Sequence, residues 1–145
     1  MRKRLIVVLP LLLILTGCAH WINDRSRELA DRTIVFSRLS ETPDVYRGKY
    51  VMLGGTIAAI KRGGEGTRLE VIQHDVDSKG LPDESIPSGG RFLATTPAPL
   101  DPERYEPGTL VTLVGKVTGR EDHVLLGREY FYPVVAIEEI HDIVI

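Results

Sequence analysis

Cysteine, tryptophan and long apolar runs are all scarce in this chain. Its single cysteine, Cys18, rules out an intramolecular disulfide, so packing alone must hold whatever core the chain builds. Aromatic residues make up 6% of the 145 residues, so each one placed in a core or on a surface weighs heavily. The longest apolar stretch, Leu5 to Leu15 with Pro10 inside it, falls short of the roughly 20 residues that a membrane-spanning helix needs. No sustained amphipathic helix, internal repeat or second domain boundary is visible. Catalytic signatures are missing too. Gly63-Gly64-Glu65-Gly66 has no Lys-Ser/Thr pair and opens no helix, which makes it a hairpin turn and not a phosphate loop. Ser85 and Ser88 lie outside any Gly-x-Ser-x-Gly elbow, and Glu70, His74, Asp75, His123 and His141 follow no metal-ligand spacing. Acid pairs such as Asp75 with Asp77, or Glu138 with Glu139, are explained as solvated surface, and nothing selects one pair for glycoside hydrolysis.

What is present begins at the N-terminus. Arg2, Lys3 and Arg4 precede the apolar run, which ends at Leu15-Thr16-Gly17-Cys18. A basic segment followed by a short apolar one is the layout of a secretory signal, and its last four residues have the form of a lipobox, cut between Gly17 and Cys18. In this the chain resembles bacterial lipoproteins. The resemblance implies that Cys18 becomes the mature N-terminus, carrying a thioether-linked diacylglycerol and an amide-linked acyl chain such as palmitate. At ~0.8 kcal/mol per buried methylene, several chains make a practically permanent anchor. Ala19 stands where aspartate would mean inner-membrane retention, so the expected destination is the outer membrane, with the domain facing the periplasm.

The signal takes three of the 18 Lys and Arg with it and none of the 20 Asp and Glu, so the mature chain is more acidic than the formal charge of −2 of the full sequence. Such a surface disfavours nucleic acid as a partner. The organisation expected is therefore a signal peptide at 1–17, a lipidated tether at 18–32 with a short helical turn near Ser26 to Ala30 and Trp21 close to the lipid interface, and one folded domain at 33–145.

Within that domain Thr33 to Phe36 is a β-prone run, and Ser37 to Thr42 and Pro43-Asp44 give short helical turns. Lys49 to Lys61 reads as a long first strand bent at Gly54-Gly55. Thr67 to Gln73 alternates, with Leu69 and Val71 on one side and Glu70 and Ile72 on the other. After an irregular stretch from His74 to Gly90, Arg91 to Thr95 forms a short strand, and Pro97, Pro99, Pro102 and Pro107 punctuate a second irregular segment. Thr109 to Thr118 alternates cleanly, Gly119 to Asp122 reads as a turn, His123 to Leu126 as a short strand and Pro133 to Ile145 as the last. Five or six strands, unequal loops and a glycine-bent first strand predict an all-β fold, a small curled antiparallel barrel of OB-like type. A lipocalin would need eight strands. The candidate partner surface is Arg128, Tyr130 and Tyr132, joined by Tyr105, Phe92 and Arg91, because Tyr and Arg are favoured at interface hot spots. The competing reading is that these aromatics fill the core.

A run of motifs then follows in order: Pro43-Asp44-Val45-Tyr46-Arg47-Gly48-Lys49, Gly54-Gly55-Thr56-Ile57, Thr67-Arg68-Leu69-Glu70-Val71, Gly90-Arg91-Phe92-Leu93-Ala94, Leu100-Asp101-Pro102-Glu103-Arg104-Tyr105, Val111-Thr112-Leu113-Val114-Gly115 and Tyr130-Phe131-Tyr132-Pro133-Val134-Val135. In this order and spacing the chain resembles the Slp family of starvation-inducible outer-membrane lipoproteins. Met52-Leu53 and Ile143-Val144-Ile145 stand where members often carry aromatics. The resemblance implies a lipid-anchored protein linked to starvation, stationary phase or envelope stress, and brings no catalytic residues with it. The expected function is a non-enzymatic binding or envelope-maintenance module without cofactor or metal. It would meet the membrane through its anchor and take an envelope protein, a glycan or a small ligand. The alternatives are a lipocalin-like carrier of an apolar ligand and a cell-envelope hydrolase.

Mass spectrometry of the mature chain is expected to find an acylated Cys18 at its N-terminus. Cys18→Ser should abolish both the acyl mass and stable attachment to the outer membrane.

Overall fold

A computed structural model describes residues 22–144. The expected signal peptide, the expected cleavage and lipidation site at Gly17–Cys18 and Trp21 lie outside the described residues. Five strands make the barrel: β1 (Tyr50–Gly63), β2 (Gly66–Val76), β4 (Arg91–Thr96), β5 (Leu110–Leu125) and β6 (Arg128–Asp142), while the two-residue β3 (Pro82–Asp83) adds only to the end of β2. Going round the ring, β1 pairs with β2, β2 with β4, β4 with β6, β6 with β5, and β5 returns to β1. All contacts are antiparallel except β4 with β6, where Leu93 pairs with Val134 in parallel. Three consecutive strands, then a fourth against the first and a fifth closing in parallel on the third, is the Greek-key order of an OB barrel.

Alternation decides which way the strands face. In β2 Thr67, Leu69, Val71 and Gln73 are buried while Arg68, Glu70, Ile72 and His74 are not, as period two demands of a sheet with one buried face. Leu69 and Val71 of the inward set pack with Ile57, Phe92, Leu113, Val117 and Val135 into one core. Helix α2 (Phe36–Glu41) lies against it through Phe36 and Leu39, with the Phe36 and Phe92 rings 6.2 Å apart. Gly55 lets β1 bend across this core. A Cβ there would stand 2.1 Å from the Ile72 carbonyl oxygen and 2.6 Å from Val71 Cγ1.

The N-terminal boundary differs from the sequence expectation. Helix α1 (Asp24–Leu29) folds within the stretch expected to be a tether, Asn23 caps it by accepting from the Ser26 amide at 2.9 Å, and Ala30 bridges to Tyr50. Ile22 is buried with Ala30 and Val114 in a second, smaller cluster on the outside of the sheet, joined by Tyr50 and Met52. Apolar residues at 22 and 30 flank a one-and-a-half-turn helix and cover an outward valine, so this segment docks instead of hanging free.

Two more expectations change. Thr33 to Phe36 finds no strand partner and runs into α2, because Val35 already stands at the helix N-cap. The chain does not turn at Gly119 to Asp122. Gly119 takes φ 150° inside a register shift, and β5 continues to Leu125 before turning at Leu126 and Gly127. Strand β6 accordingly begins at Arg128 and not at Pro133.

Gly55→Ala is expected to destabilise the barrel by about 3 kcal/mol, the upper end of overpacking costs, since the obstruction is backbone. Gly63→Ala, where nothing lies within 4 Å, should leave the thermal midpoint nearly unchanged. Leu69→Ala, at a fully buried position, should cost about 2–5 kcal/mol in denaturant unfolding.

Candidate functional site

Beyond Val117 and Val134 the β5–β6 hairpin leaves the shelter of β1 and β4 and runs on as a two-stranded arm. Register fixes its faces. Glu121 pairs with Tyr132, His123 with Tyr130 and Leu125 with Arg128, so these six residues share one face, and Arg120, Asp122, Val124, Glu129 and Phe131 lie on the other. The first face looks over the outer surface of β2 and β4. Between arm and barrel is an open cleft of about 330 Å³, lined by Ala59, Ile60 and Lys61 of β1, Arg68 and Glu70 of β2, Leu93 of β4, and His123, Leu125 and Tyr132 of the arm.

Charge is paired across this cleft. Arg68 forms an ion pair with Glu121, whose Oε1 also lies 3.0 Å from His123 Nε2. Arg91 reaches Glu70 at 3.7 Å. The His123 ring stacks on Tyr132, centroids 4.6 Å apart and planes 29° from parallel. The hydrogen bond from Arg68 holds the Glu121 carboxyl below its usual range, burial opposes this, and the charges of Arg68 and His123 add to the lowering. Burial raises the Tyr132 hydroxyl above its usual value, and the nearby Glu70 carboxylate raises it further against the pull of Arg91. The Glu121 carboxylate is thus favoured in its charged form beside stacked rings and guanidinium groups, an arrangement that can accept and donate hydrogen bonds to a polar ligand and cover one of its faces.

Of the six residues singled out from sequence, Arg91, Arg128, Tyr130 and Tyr132 come to this face. Phe92 and Tyr105 do not. Phe92 is wholly buried, because neighbours along a strand point to opposite sides of it and Arg91 points out. Tyr105 packs in the core and its hydroxyl donates to the Ile140 carbonyl at 3.2 Å. Sequence reasoning passed over Arg68, Glu121 and the pairing of His123 with Tyr132, which come together only through register across the ring. The acid and histidine group weighed for metal stays apart: Glu70 faces Arg91, Asp75 accepts from Gln73 at 2.7 Å, and His74 Nε2 meets Thr56 Oγ1 at 3.0 Å. Among the described residues no three His, Cys, Asp or Glu side chains converge as a metal site.

Larger concavities lie elsewhere. One of about 660 Å³ is walled largely by Gly63 to Thr67 and Thr95 to Pro97, and one of about 470 Å³ by Asp31 to Ser37 with Gln73 to Val76. Neither brings an aromatic stack together with paired charges.

Comparison with known proteins gives one family model, that of the "Outer membrane lipoprotein Slp family", matching residues 15–142. The "Uncharacterized lipoprotein YeaY" of Escherichia coli strain K12 is 33% identical over 100 residues, 69% of this chain and 51% of its own length. The "Outer membrane protein Slp" of the same organism is 28% identical over 116 residues, 79% of this chain and 61% of its own length. The chain thus spans about half to three-fifths of the length of these relatives. A solved structure of a small single-stranded DNA-binding protein from Streptomyces coelicolor aligns with a TM-score of 0.38 at 13% identity, covering 64% of this chain and 92% of that one. The barrel assignment rests on strand pairing and not on that likeness.

The lowered pKa of Glu121 carries a direction in pH. Its ion pair contributes in full above the usual value of 4.5 and is lost as pH falls through the lower native pKa. In an NMR titration of the carboxylate, Arg68→Ala should move the Glu121 midpoint upward toward the usual value. An unmoved midpoint would mean that Arg68 does not set it.

Proposed function

As the chain belongs to the outer membrane lipoprotein Slp family, we propose that it is a non-enzymatic binding module at the outer membrane, anchored through an acylated Cys18 with its barrel in the periplasm. We infer that the cleft between the β1–β2 and β5–β6 hairpins takes an envelope glycan. The observation that carries this reading is the meeting of stacked His123 and Tyr132 with the Arg68–Glu121 and Arg91–Glu70 pairs on one open face. A sugar ring presents a C–H face that packs on aromatic carbon and a rim of hydroxyls that pair with guanidinium and carboxylate. OB barrels place oligosaccharides and oligonucleotides on this side, between the same two hairpins. The acidic balance of the chain favours the first of these ligands over the second.

Two further observations support binding over the other readings. A carrier of apolar ligands needs a hollow barrel, whereas Leu69, Val71, Phe92, Leu113 and Val135 fill this one. A glycoside hydrolase needs a carboxylic acid kept protonated near neutral pH, and Glu121 is shifted the opposite way. The family resemblance supports a role in starvation or stationary-phase stress, in which maintaining the envelope is the task.

Titration with peptidoglycan-derived disaccharides, followed by backbone NMR, is expected to move resonances of Arg68, Glu70, Arg91, His123 and Tyr132. Arg91→Ala combined with Tyr132→Ala should weaken binding about tenfold or more, equivalent to ~1.4 kcal/mol. Shifts confined to other surfaces, or slow cleavage of the sugar, would speak against a binding cleft.

A further inference from the structure

The arm ends in a point of which only Leu125 also borders the cleft. Val124, Leu125 and Leu126 are consecutive, and all three are exposed. Leu126 is 104% exposed and sits at φ 52°, a left-handed conformation that side-chain sterics disfavour and that glycine, asparagine or aspartate normally supplies at a hairpin turn. A branched aliphatic at the most solvated position of a strained turn runs against both solvation and backbone preference. Behind the tip stand Tyr130 and Phe131, one on each face of the arm and each about two-fifths exposed. From Gly127 to Tyr130 is about 10 Å of strand. Arg120 stacks over the Phe131 ring at 4.6 Å, and Arg128 follows the turn directly.

We propose that this tip is a second membrane contact, inserting Val124, Leu125 and Leu126 into the bilayer that holds the anchor; the proposal rests on the anchored reading above. The occupant is chosen by shape and by reach. The tip is convex and only two strands wide, suited to a soft medium and not to a flat protein face. Register sets Arg128 beside Leu125 and Glu129 beside Val124, then Tyr130 and Phe131, then Arg120, so the aliphatic side chains lead and the charged groups can stay at headgroup level, within the 5–10 Å depth that interfacial segments reach. Reach follows from the N-terminus. Ile22 is docked on the barrel only four positions after Cys18, so the anchored barrel stays within about 14 Å of the lipid at that point. The docking site lies at Val114, and β5 covers about 36 Å of strand from there to Leu125 at ~3.3 Å per residue. An anchor at one end of β5 and an apolar wedge at the other would lay the barrel along the membrane. Insertion here is apolar and needs no anionic lipid, in keeping with an acidic chain.

The test uses the full acylated protein reconstituted in phosphatidylethanolamine-rich vesicles. With Cys18 blocked by its thioether, Leu126→Cys supplies the one free thiol for an environment-sensitive fluorophore, and Val45→Cys, exposed on the 3₁₀ turn Pro43–Tyr46, supplies a control. The label at 126 should shift to the blue and be quenched by nitroxide lipid about twofold or more, as expected for a group at interfacial depth, while the label at 45 is not. A variant carrying Val124→Ser and Leu125→Ser should lose this quenching yet still float with the vesicles. A Leu126 label that stays aqueous on floating protein overturns the second contact and leaves the anchor standing. Protein that does not float overturns both.

Discussion

Strand β1 pairs along both edges at once, with β2 from Gly54 to Gly63 and with β5 from Tyr50 to Thr56, and the ring closes only where these two ladders overlap. In that overlap the backbones of β1 and β2 come so close that Gly55 has the Ile72 carbonyl where a Cβ would be. A side chain there would force the strands apart at the point that turns an open sheet into a barrel. The register shift between Ile57 and Ala59 completes the bend and returns Ile60 toward the core. Everything functional hangs on this closure, since the cleft is the gap between two hairpins whose angle it fixes.

Closure also explains the division of labour among side chains. With a core only a few residues wide, each inward position must be filled, and Leu69, Val71, Phe92 and Leu113 do so with no exposed surface. Polar chemistry is left to the outward positions of the same strands. There Arg68 meets Glu121, which the long arm brings over it, and Arg91 meets Glu70. The arm's ion pair with β2 ties it to the barrel, so a hairpin that would be marginal alone is braced near its root.

Period two made much of this legible in advance. The alternation of β2 is readable because it buries one face, whereas β5 is buried on both from Val111 to Gly115, and Arg128, Tyr130 and Tyr132 are spaced two apart as residues of a shared face are. The same rule separates Arg91 from Phe92, which the reading of a single patch set aside. What a linear sequence does not carry is the lateral register that brings Glu121 opposite Tyr132, or the parallel seam of β4 with β6. Gly119 misled for a related reason: a glycine at a bulge and a glycine at a turn look alike until the partner strand is known. The helical turn of α1 is legible near Ser26 to Ala30, but its docking is not, because its flanking apolar residues are few and gain meaning only once Val114 is found facing outward.

That docked segment gives the barrel a mechanical fuse. A pull between the membrane and the periplasm is met first by Ile22 and by Asn23, whose backbone amide donates to Glu139 at 3.0 Å, and these contacts load β5 at Val114 and β6 at Glu139, away from the arm. A small outer cluster and a few polar bonds yield at lower force than a closed ring of ladders loaded along its strands. Peeling residues 22 to 30 would pay out about 30 Å of slack while the barrel stays shut. A chain held at Cys18 could thus follow a moving envelope on a line that lengthens before the barrel or its cleft gives way.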